Sequence, residues 1–515
     1  MMRAFATVGL WTMLSRILGF VRDILIAAFL GAGPVAEAFV IAFSLPNMFR
    51  RFFAEGAFNM AFVPMFSKKL EAGDDPEGFA RDALTGLGVV LILFTVLALF
   101  AMPWLVLAMA SGFAGDERFD LAVLYGRIAF PYILFISLAA LASGVLNASR
   151  HFVAAAAAPV LLNILFIAAL LGGARLGWDA GLTLAWAVPV AGIAQLALVW
   201  VAARRAGFAL TPRRPRLTPE LKRLAIIAAP AALAGGVVQV NLLVGRQVAS
   251  YFDGAAAWLY YADRLYQLPL GVVGIAIGIV LLPDLSRRLQ AKDEAGGQHA
   301  FSRATEMALA LTFPAAIALV IIPLPLVSVL FVRGAFTMED AIPTAIAAAI
   351  YGAGLPAFVL QKVLQPLYFA REDTKTPFRY ALVAMVVNAA LAIGLAPIIG
   401  YIAAALGATL AGWAMTWLLW RGSRPMGAAA QLDERAQARA PKIVVASLAM
   451  GGVLLAAAWL LSDALVTPGW RYAALAGLIA LGIASYTIAA QLTGAFTLSE
   501  IKSQLRRSAP PDPAE

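Results

Sequence analysis

The segment Ser15-Arg16-Ile17-Leu18-Gly19-Phe20-Val21-Arg22-Asp23 decides how this chain is read. It sits inside a hydrophobic run from Ala4 to Leu30, with Arg16 near the middle. A charge at that depth in a bilayer costs roughly 3 kcal/mol on insertion scales. At about 100° per residue, Arg16 and Asp23 share one helix face and Arg22 lies roughly 120° around. Charges placed so imply a face that borders a wet cavity between helices, where the arginines meet something anionic. Two further segments extend the pattern: Leu45-Pro46-Asn47-Met48-Phe49-Arg50-Arg51-Phe52-Phe53-Ala54-Glu55-Gly56-Ala57-Phe58 and Phe62-Val63-Pro64.

Composition sets the class. Of 515 residues 62% are hydrophobic and 13% charged, and the mean hydropathy is +0.84. A soluble domain is nearer half apolar and a quarter charged, so this is an all-α polytopic membrane protein. With no cysteine, disulfides and thiolate metal sites are excluded. The two histidines, His151 and His299, fall in predicted loops; no metal site is expected and no cofactor is implied. No phosphate-binding GxxxxGK[ST] loop occurs, so work comes from an ion gradient, the membrane potential or mass action, with the ion unspecified. No nucleophile–base arrangement stands out, and the chain does not read as an enzyme. The net charge of +10 reflects basic loops facing anionic lipid headgroups, not nucleic acid.

Runs of about 20 apolar residues predict fourteen spans: 4–30, 35–67, 82–110, 120–148, 153–173, 180–203, 221–250, 256–286, 304–331, 340–369, 377–397, 400–420, 442–462 and 470–492. The first is read as a retained span rather than a cleaved signal. With the N-terminus in the cytoplasm, nearly all loop Lys and Arg fall on the cytoplasmic side. Only Arg118, Arg175, Arg333 and Arg471 fall opposite. By the positive-inside rule both termini are cytoplasmic. In-span basic residues are Arg16, Arg22, Arg50, Arg51, Arg127, Arg246, Arg264 and Lys362; all but Arg127 and Lys362 lie in spans one, two, seven and eight.

That clustering exposes a repeat. Phe62-Val63-Pro64-Met65-Phe66-Ser67-Lys68-Lys69 recurs as Leu281-Leu282-Pro283-Asp284-Leu285-Ser286-Arg287-Arg288, displaced by 219 residues. Leu146-Asn147-Ala148-Ser149-Arg150 recurs as Leu367-Tyr368-Phe369-Ala370-Arg371, displaced by 221. An even number of spans separates the copies, so the halves are parallel repeats. The expected organisation is an N-lobe over 1–203, a basic cytoplasmic linker over 204–220, a C-lobe over 221–420, a second linker over 421–441, spans thirteen and fourteen over 442–492, and a cytoplasmic tail over 493–515. The second span, 33 residues and roughly 50 Å if straight, is too long for one crossing; Pro46, Gly56 and Pro64 offer bends.

Arg16, Arg22, Arg50 and Arg264 are the candidates for gripping an anionic headgroup, because a guanidinium donates two parallel hydrogen bonds to one phosphate and keeps its charge when partly dehydrated. Internal pairing competes: Arg22 with Asp23, Arg51 with Glu55, Arg264 with Asp263. Asp23, Glu37, Arg51, Glu55 and Asp263 are read as supporting charges. Arg127, Arg246 and Lys362 read better as snorkelling side chains. Tyr260, Tyr261 and Tyr266 read as packing, and Asn241 and Asn388 as interhelical hydrogen-bonding residues.

The segments Ser15–Asp23, Leu45–Phe58 and Tyr260-Tyr261-Ala262-Asp263-Arg264-Leu265 resemble the MurJ (MviN) lipid II flippase family, within the multidrug/oligosaccharidyl-lipid/polysaccharide exporter superfamily. The resemblance implies two six-helix lobes around a cationic cavity and a lipid-tail groove built by spans thirteen and fourteen. It also implies alternating-access transport of lipid II, the undecaprenyl-diphosphate-linked disaccharide peptide, from the inner to the outer leaflet of the bacterial inner membrane. The family's cavity arginines map onto Arg16, Arg22, Arg50 and Arg264, and its acidic partner onto Asp23. Membrane lipids and the cell-wall synthesis machinery are the other partners implied. Where the family often carries aspartate this chain has Glu37, and where some members carry a carboxylate it has Gln267. Two alternatives stand beside this reading: a flippase for another polyprenyl-diphosphate oligosaccharide, and a cation-coupled drug exporter of the same superfamily.

Overall fold

The computed structural model describes residues 2–51 and 57–496. Nineteen α-helices follow one another: α1 Met2–Leu30, α2 Pro34–Arg50, α3 Ala57–Ala72, α4 Pro76–Phe100, α5 Met102–Met109, α6 Glu117–Ala129, α7 Tyr132–Ala148, α8 Val153–Leu176, α9 Ala180–Arg205, α10 Pro219–Ser250, α11 Ala255–Gln290, α12 Glu294–Ile321, α13 Pro323–Phe331, α14 Met338–Phe369, α15 Lys375–Ile399, α16 Ile402–Ser423, α17 Glu434–Leu460, α18 Ser462–Val466 and α19 Trp470–Leu492. Among the described residues no strand forms; one isolated bridge joins Arg333 and Phe336. Among the described residues ten helical stretches, α6 and α7 together forming one, are long and apolar enough to cross a membrane. The other four predicted spans coincide with α1, with α2 and α3 together, with α10 and with α11, which hold most of the in-span arginines. The count of fourteen therefore exceeds what helix length and composition establish among the described residues.

Proline divides several predicted spans. Having no N–H to donate, it is tolerated in a helix's first turn but costs a bond in the interior. Pro103 and Pro323 therefore open the short helices α5 and α13, just after α4 and α12 end. Pro131 separates α6 from α7. In the second span α2 ends at Arg50 and α3 starts at Ala57; Gly56 lies outside the described residues. Pro46 and Pro64 sit inside these two helices without ending either.

The repeat is visible in the backbone. Gly73 and Lys292, 219 residues apart, both take positive φ (66° and 57°). Each reverses a helix end: the Asp74 amide donates to Lys69 O at 3.0 Å, and the Asp293 amide to Arg288 O at 2.9 Å. Side chains repeat too, with Lys69 paired to Asp74 at 2.7 Å and Arg288 to Asp293 at 3.2 Å. The second sequence match recurs one residue out of step. The His151 amide donates to Leu146 O and the Asp373 amide to Tyr368 O, a displacement of 222 rather than 221.

Side-chain oxygens satisfy exposed amides at helix starts. Asp75 accepts from Gly78 N, Thr218 from Leu221 N and Asp433 from Ala436 N. The basic connection after α9 is anchored as well as charged: Arg213 forks onto the buried carboxylate of Asp82, and its amide donates to Thr85 Oγ1 at 3.1 Å.

The chain packs as two compact units, one of Met1–Tyr261 with Arg333–Asp340, the other of Ala262–Val332 with the chain from Ala341 onward; the division passes through α11. In the first unit the 333–340 segment seats on the end of α1, where Ala335 N donates to Ala28 O at 2.8 Å. Gly31 and Gly334 make that approach possible: both have positive φ, and a Cβ on Gly334 would stand 2.2 Å from Ala28 O. In the second unit α17 and α19 pack on α12 through Leu309, Ile443, Ala446 and Ala490.

Helix α9 approaches α7 at Gly192, where an added Cβ would stand 2.8 Å from Tyr132 Cδ2 and 3.1 Å from Phe135 Cβ. Gly192→Leu is expected to cost roughly 1–3 kcal/mol through overpacking and to lower the melting midpoint of the purified protein. Gly172→Leu, at a position facing open space, should leave the midpoint unchanged.

Candidate functional site

The first unit contains a cavity of about 370 Å³ lined by Arg16, Arg22 and Arg50 among other residues, within the roughly 300–1,000 Å³ typical of ligand pockets. Helix periodicity explains why one helix supplies two of these arginines. Arg16 and Arg22 stand about 60° to either side of Gly19, and Gly19, also on the wall, leaves room between them. Arg50 comes from the last turn of α2 and Asn59 from α3. On the far wall Gln195 of α9 accepts from Tyr132 at 3.2 Å and donates to Ala158 O at 2.9 Å.

Arg22 is the most constrained of the three, 8% exposed beside Asp23 at 2%. Its Nε and Nη2 donate to Asp23 Oδ1 at 3.0 and 2.8 Å, and its Nη1 donates to Asn163 Oδ1 at 2.9 Å. Tyr260 donates to the same Asp23 oxygen at 3.0 Å. Asn163 closes the circuit on α1, its Nδ2 donating to Ser15 O at 2.9 Å, while the Arg22 guanidinium lies 5.6 Å from the centre of the Phe166 ring. Asp23 thus pairs with one of the three arginines that line the cavity. Such a pocket suits a polyanion and repels a cation.

The remaining sequence candidates divide. Glu37 stands thirteen residues before Arg50 on α2, roughly 20 Å along the axis, and joins a separate cluster. It is 1% exposed, lies 3.1 Å from Arg118 Nη1 and accepts from Ala256 N at 3.0 Å. Arg118 also pairs with Asp116 at 2.6 Å and Asp253 at 3.1 Å, and its hydrogen bond holds the Asp116 carboxyl below its ordinary value. Glu37 therefore supports Arg118, not the arginine cavity. Arg51 is exposed at the end of α2, and Glu55 lies outside the described residues, as does the side chain of Asn241. Arg264 and Asp263 belong to the second unit, where Gln267 donates to Asp263 and Tyr266 packs on Tyr351 and Phe358. Tyr261 is fully buried and donates to Gly31 O at 2.8 Å. Arg127 donates to Leu99 O at 3.3 Å, away from the cavity, and Lys362 is exposed.

Asn163 is the residue that sequence reasoning missed. Its signal was the one that drew notice to Asn241 and Asn388, a lone amide within an apolar run.

A family model for the lipid II flippase MurJ matches residues 26–479. The chain belongs to the MurJ family. It is 44% identical over 523 residues to the probable lipid II flippase MurJ of Rhizobium tropici, covering 99% of this chain and 97% of that relative. It is 38% identical over 437 residues to the lipid II flippase MurJ of Burkholderia cenocepacia, covering 82% and 84% respectively. A solved structure of lipid II flippase MurJ in an inward closed conformation superposes with a TM-score of 0.78 at 25% identity, over 94% of this chain and 98% of that one. An inward-facing multidrug resistance MATE family transporter of the MOP superfamily matches with a TM-score of 0.68 at 15% identity, over 83% and 98%, which shows a shared fold. Like other MurJ flippases, the chain is a multi-pass membrane protein.

Removing one member of a buried pair strands the other charge, at roughly 3–5 kcal/mol. Arg118→Met is expected to lower the melting midpoint sharply by leaving the buried Glu37 carboxylate without its cation. The Glu37→Leu/Arg118→Met double variant should recover part of that loss. The recovery stays incomplete because Ala256 N loses its acceptor.

Proposed function

We propose that this chain is a lipid II flippase, carrying the lipid-linked peptidoglycan precursor from the inner to the outer leaflet of the bacterial inner membrane by alternating access. The observation that carries the reading is the convergence of Arg16, Arg22 and Arg50 on one cavity in a chain of the MurJ family. The diphosphate is the part of lipid II that a cationic cavity recognises, since guanidinium forks match phosphate oxygens. Arg16, Arg22 and Arg50 take the diphosphate together, the bonds to Asp23 and Asn163 fixing where the Arg22 guanidinium stands. Arg264 is assigned as a fourth phosphate ligand on the family resemblance alone. We read 1–203 and 221–420 as the two lobes that alternate and 442–492 as the groove for the polyprenyl tail, with both termini cytoplasmic and the cell-wall synthesis machinery as the recipient of the product. The driving force is electrochemical, worth about 2.3 kcal/mol per elementary charge per 100 mV. A drug exporter of the same superfamily would need carboxylates facing its ligand, whereas this cavity presents guanidinium groups.

Lipid II retention by the purified protein in native mass spectrometry tests the substrate and the residues together. A hydrogen bond to a charged group contributes roughly 1.5–3 kcal/mol, so Arg16→Ala/Arg264→Ala should weaken retention about tenfold or more. An undecaprenyl-diphosphate lipid bearing a different glycan should be held less well than lipid II. Undiminished retention by the variant, together with full support of growth in a depletion strain, sinks the arginine assignment.

Topology is tested separately, since the chain has no cysteine. A single cysteine replacing Gln431 should react with an impermeant maleimide only after permeabilisation, and one replacing Gly115 in intact spheroplasts. The reverse pattern would invert the orientation.

A further inference from the structure

A second, larger hollow lies in the first unit against α1, α8 and α9, about 960 Å³ in volume. Its wall is apolar, with Trp11, Ala157, Ala197 and Leu198 contributing, and its polar members are His151 and Arg205. No acidic side chain is among its lining residues. Alanines on α8 and α9 make the hollow: where lipid-facing helices carry Leu or Ile, these short side chains leave a channel. Helix α8 is the partition, turning Ala155 and Ala158 to the arginine cavity and Ala154 and Ala157 to the hollow. His151 precedes α8 and Arg205 ends α9. In the orientation proposed above, both lie at the cytoplasmic membrane surface, where Arg150 and Arg204 add further positive charge. The arrangement is a chain-width apolar trough with a cationic mouth at headgroup level. Basic pockets between membrane helices on the cytoplasmic side recognise anionic lipid headgroups.

We propose that this groove is a binding site for an anionic phospholipid of the cytoplasmic leaflet, its phosphate on Arg205 and His151 and an acyl chain along Ala157, Ala197 and Leu198. The site is distinct from the arginine cavity. The proposal rests on the membrane orientation and not on the identity of the transported lipid. A resident lipid here would brace the α8 wall that carries Asn163, the residue holding Arg22.

Native mass spectrometry of the full-length protein, delipidated and re-supplied with phosphatidylglycerol or phosphatidylcholine, tests this. Phosphatidylglycerol should be retained over phosphatidylcholine, and Arg205→Ala should reduce that preference about fivefold, the contribution of one basic residue near an anionic surface. Ala197→Trp, at an exposed position on the groove wall, should abolish retention of both while the melting midpoint shows the fold intact. Arg223→Ala, basic and exposed but outside the groove, should leave the preference unchanged. An equal loss in Arg223→Ala would mean diffuse surface charge, and the proposal would fall. It would also fall if undecaprenyl phosphate displaced phosphatidylglycerol and was itself blocked by Ala197→Trp, since the groove would then hold the isoprenoid. Lipid II retention should be unaffected by Arg205→Ala; its loss with phosphatidylglycerol binding intact would overturn the phospholipid assignment while leaving the flippase reading standing.

Discussion

The desolvation of guanidinium groups inside an apolar bundle is the constraint on which the site depends. An arginine at mid-membrane must find water, a counter-ion or hydrogen-bond acceptors, because hydrocarbon supplies none. Arg22 finds partners in protein, among them the Asp23 carboxylate one residue along and the Asn163 carbonyl from α8. Asp23 in turn needs more than one donor and receives Tyr260. Each group in this chain of contacts satisfies the next, and together they tie α1, α8 and the start of α11. The cavity beside it is large enough for solvent or a headgroup. Arg22 is held by these partners, and Arg16 and Arg50 stand with it on the cavity wall.

A second buried pair obeys the same rule elsewhere. Glu37 is as deeply buried as Asp23, and it balances Arg118 while accepting from the first turn of α11. Two acidic residues that lie near the arginines in sequence thus serve separate helices and separate needs: Asp23 keeps one cavity arginine in register, and Glu37 fastens α2 to α6 and to the start of α11. Charge pairs that are dispensable at a protein surface become fixed points here, since opening either leaves an ion in a low-dielectric interior.

The repeat shows how little sequence identity a duplicated helix end needs. Lys69 with Asp74 and Arg288 with Asp293 preserve charge and spacing while the residue types change, and Gly73 and Lys292 share a backbone conformation that ordinarily favours glycine. What persists is the requirement to close a helix's last carbonyls and reverse the chain.

Much of this was legible in the chain itself. Hydropathy determined the helical membrane class, because a bilayer admits only segments that satisfy their own backbone bonds. Periodicity placed Arg16 and Asp23 on one face, and the quoted segments carried the family. Tertiary structure decided what depends on partners remote in sequence. Asn163 meets Arg22 across 141 residues and Glu37 meets Arg118 across 81, and no local pattern encodes which acceptor a buried charge will reach. The sequence determined that charges would be buried in these helices, since their cost in hydrocarbon is a property of each residue. Which neighbour meets that cost was decided only by packing, because it depends on distances that folding alone creates.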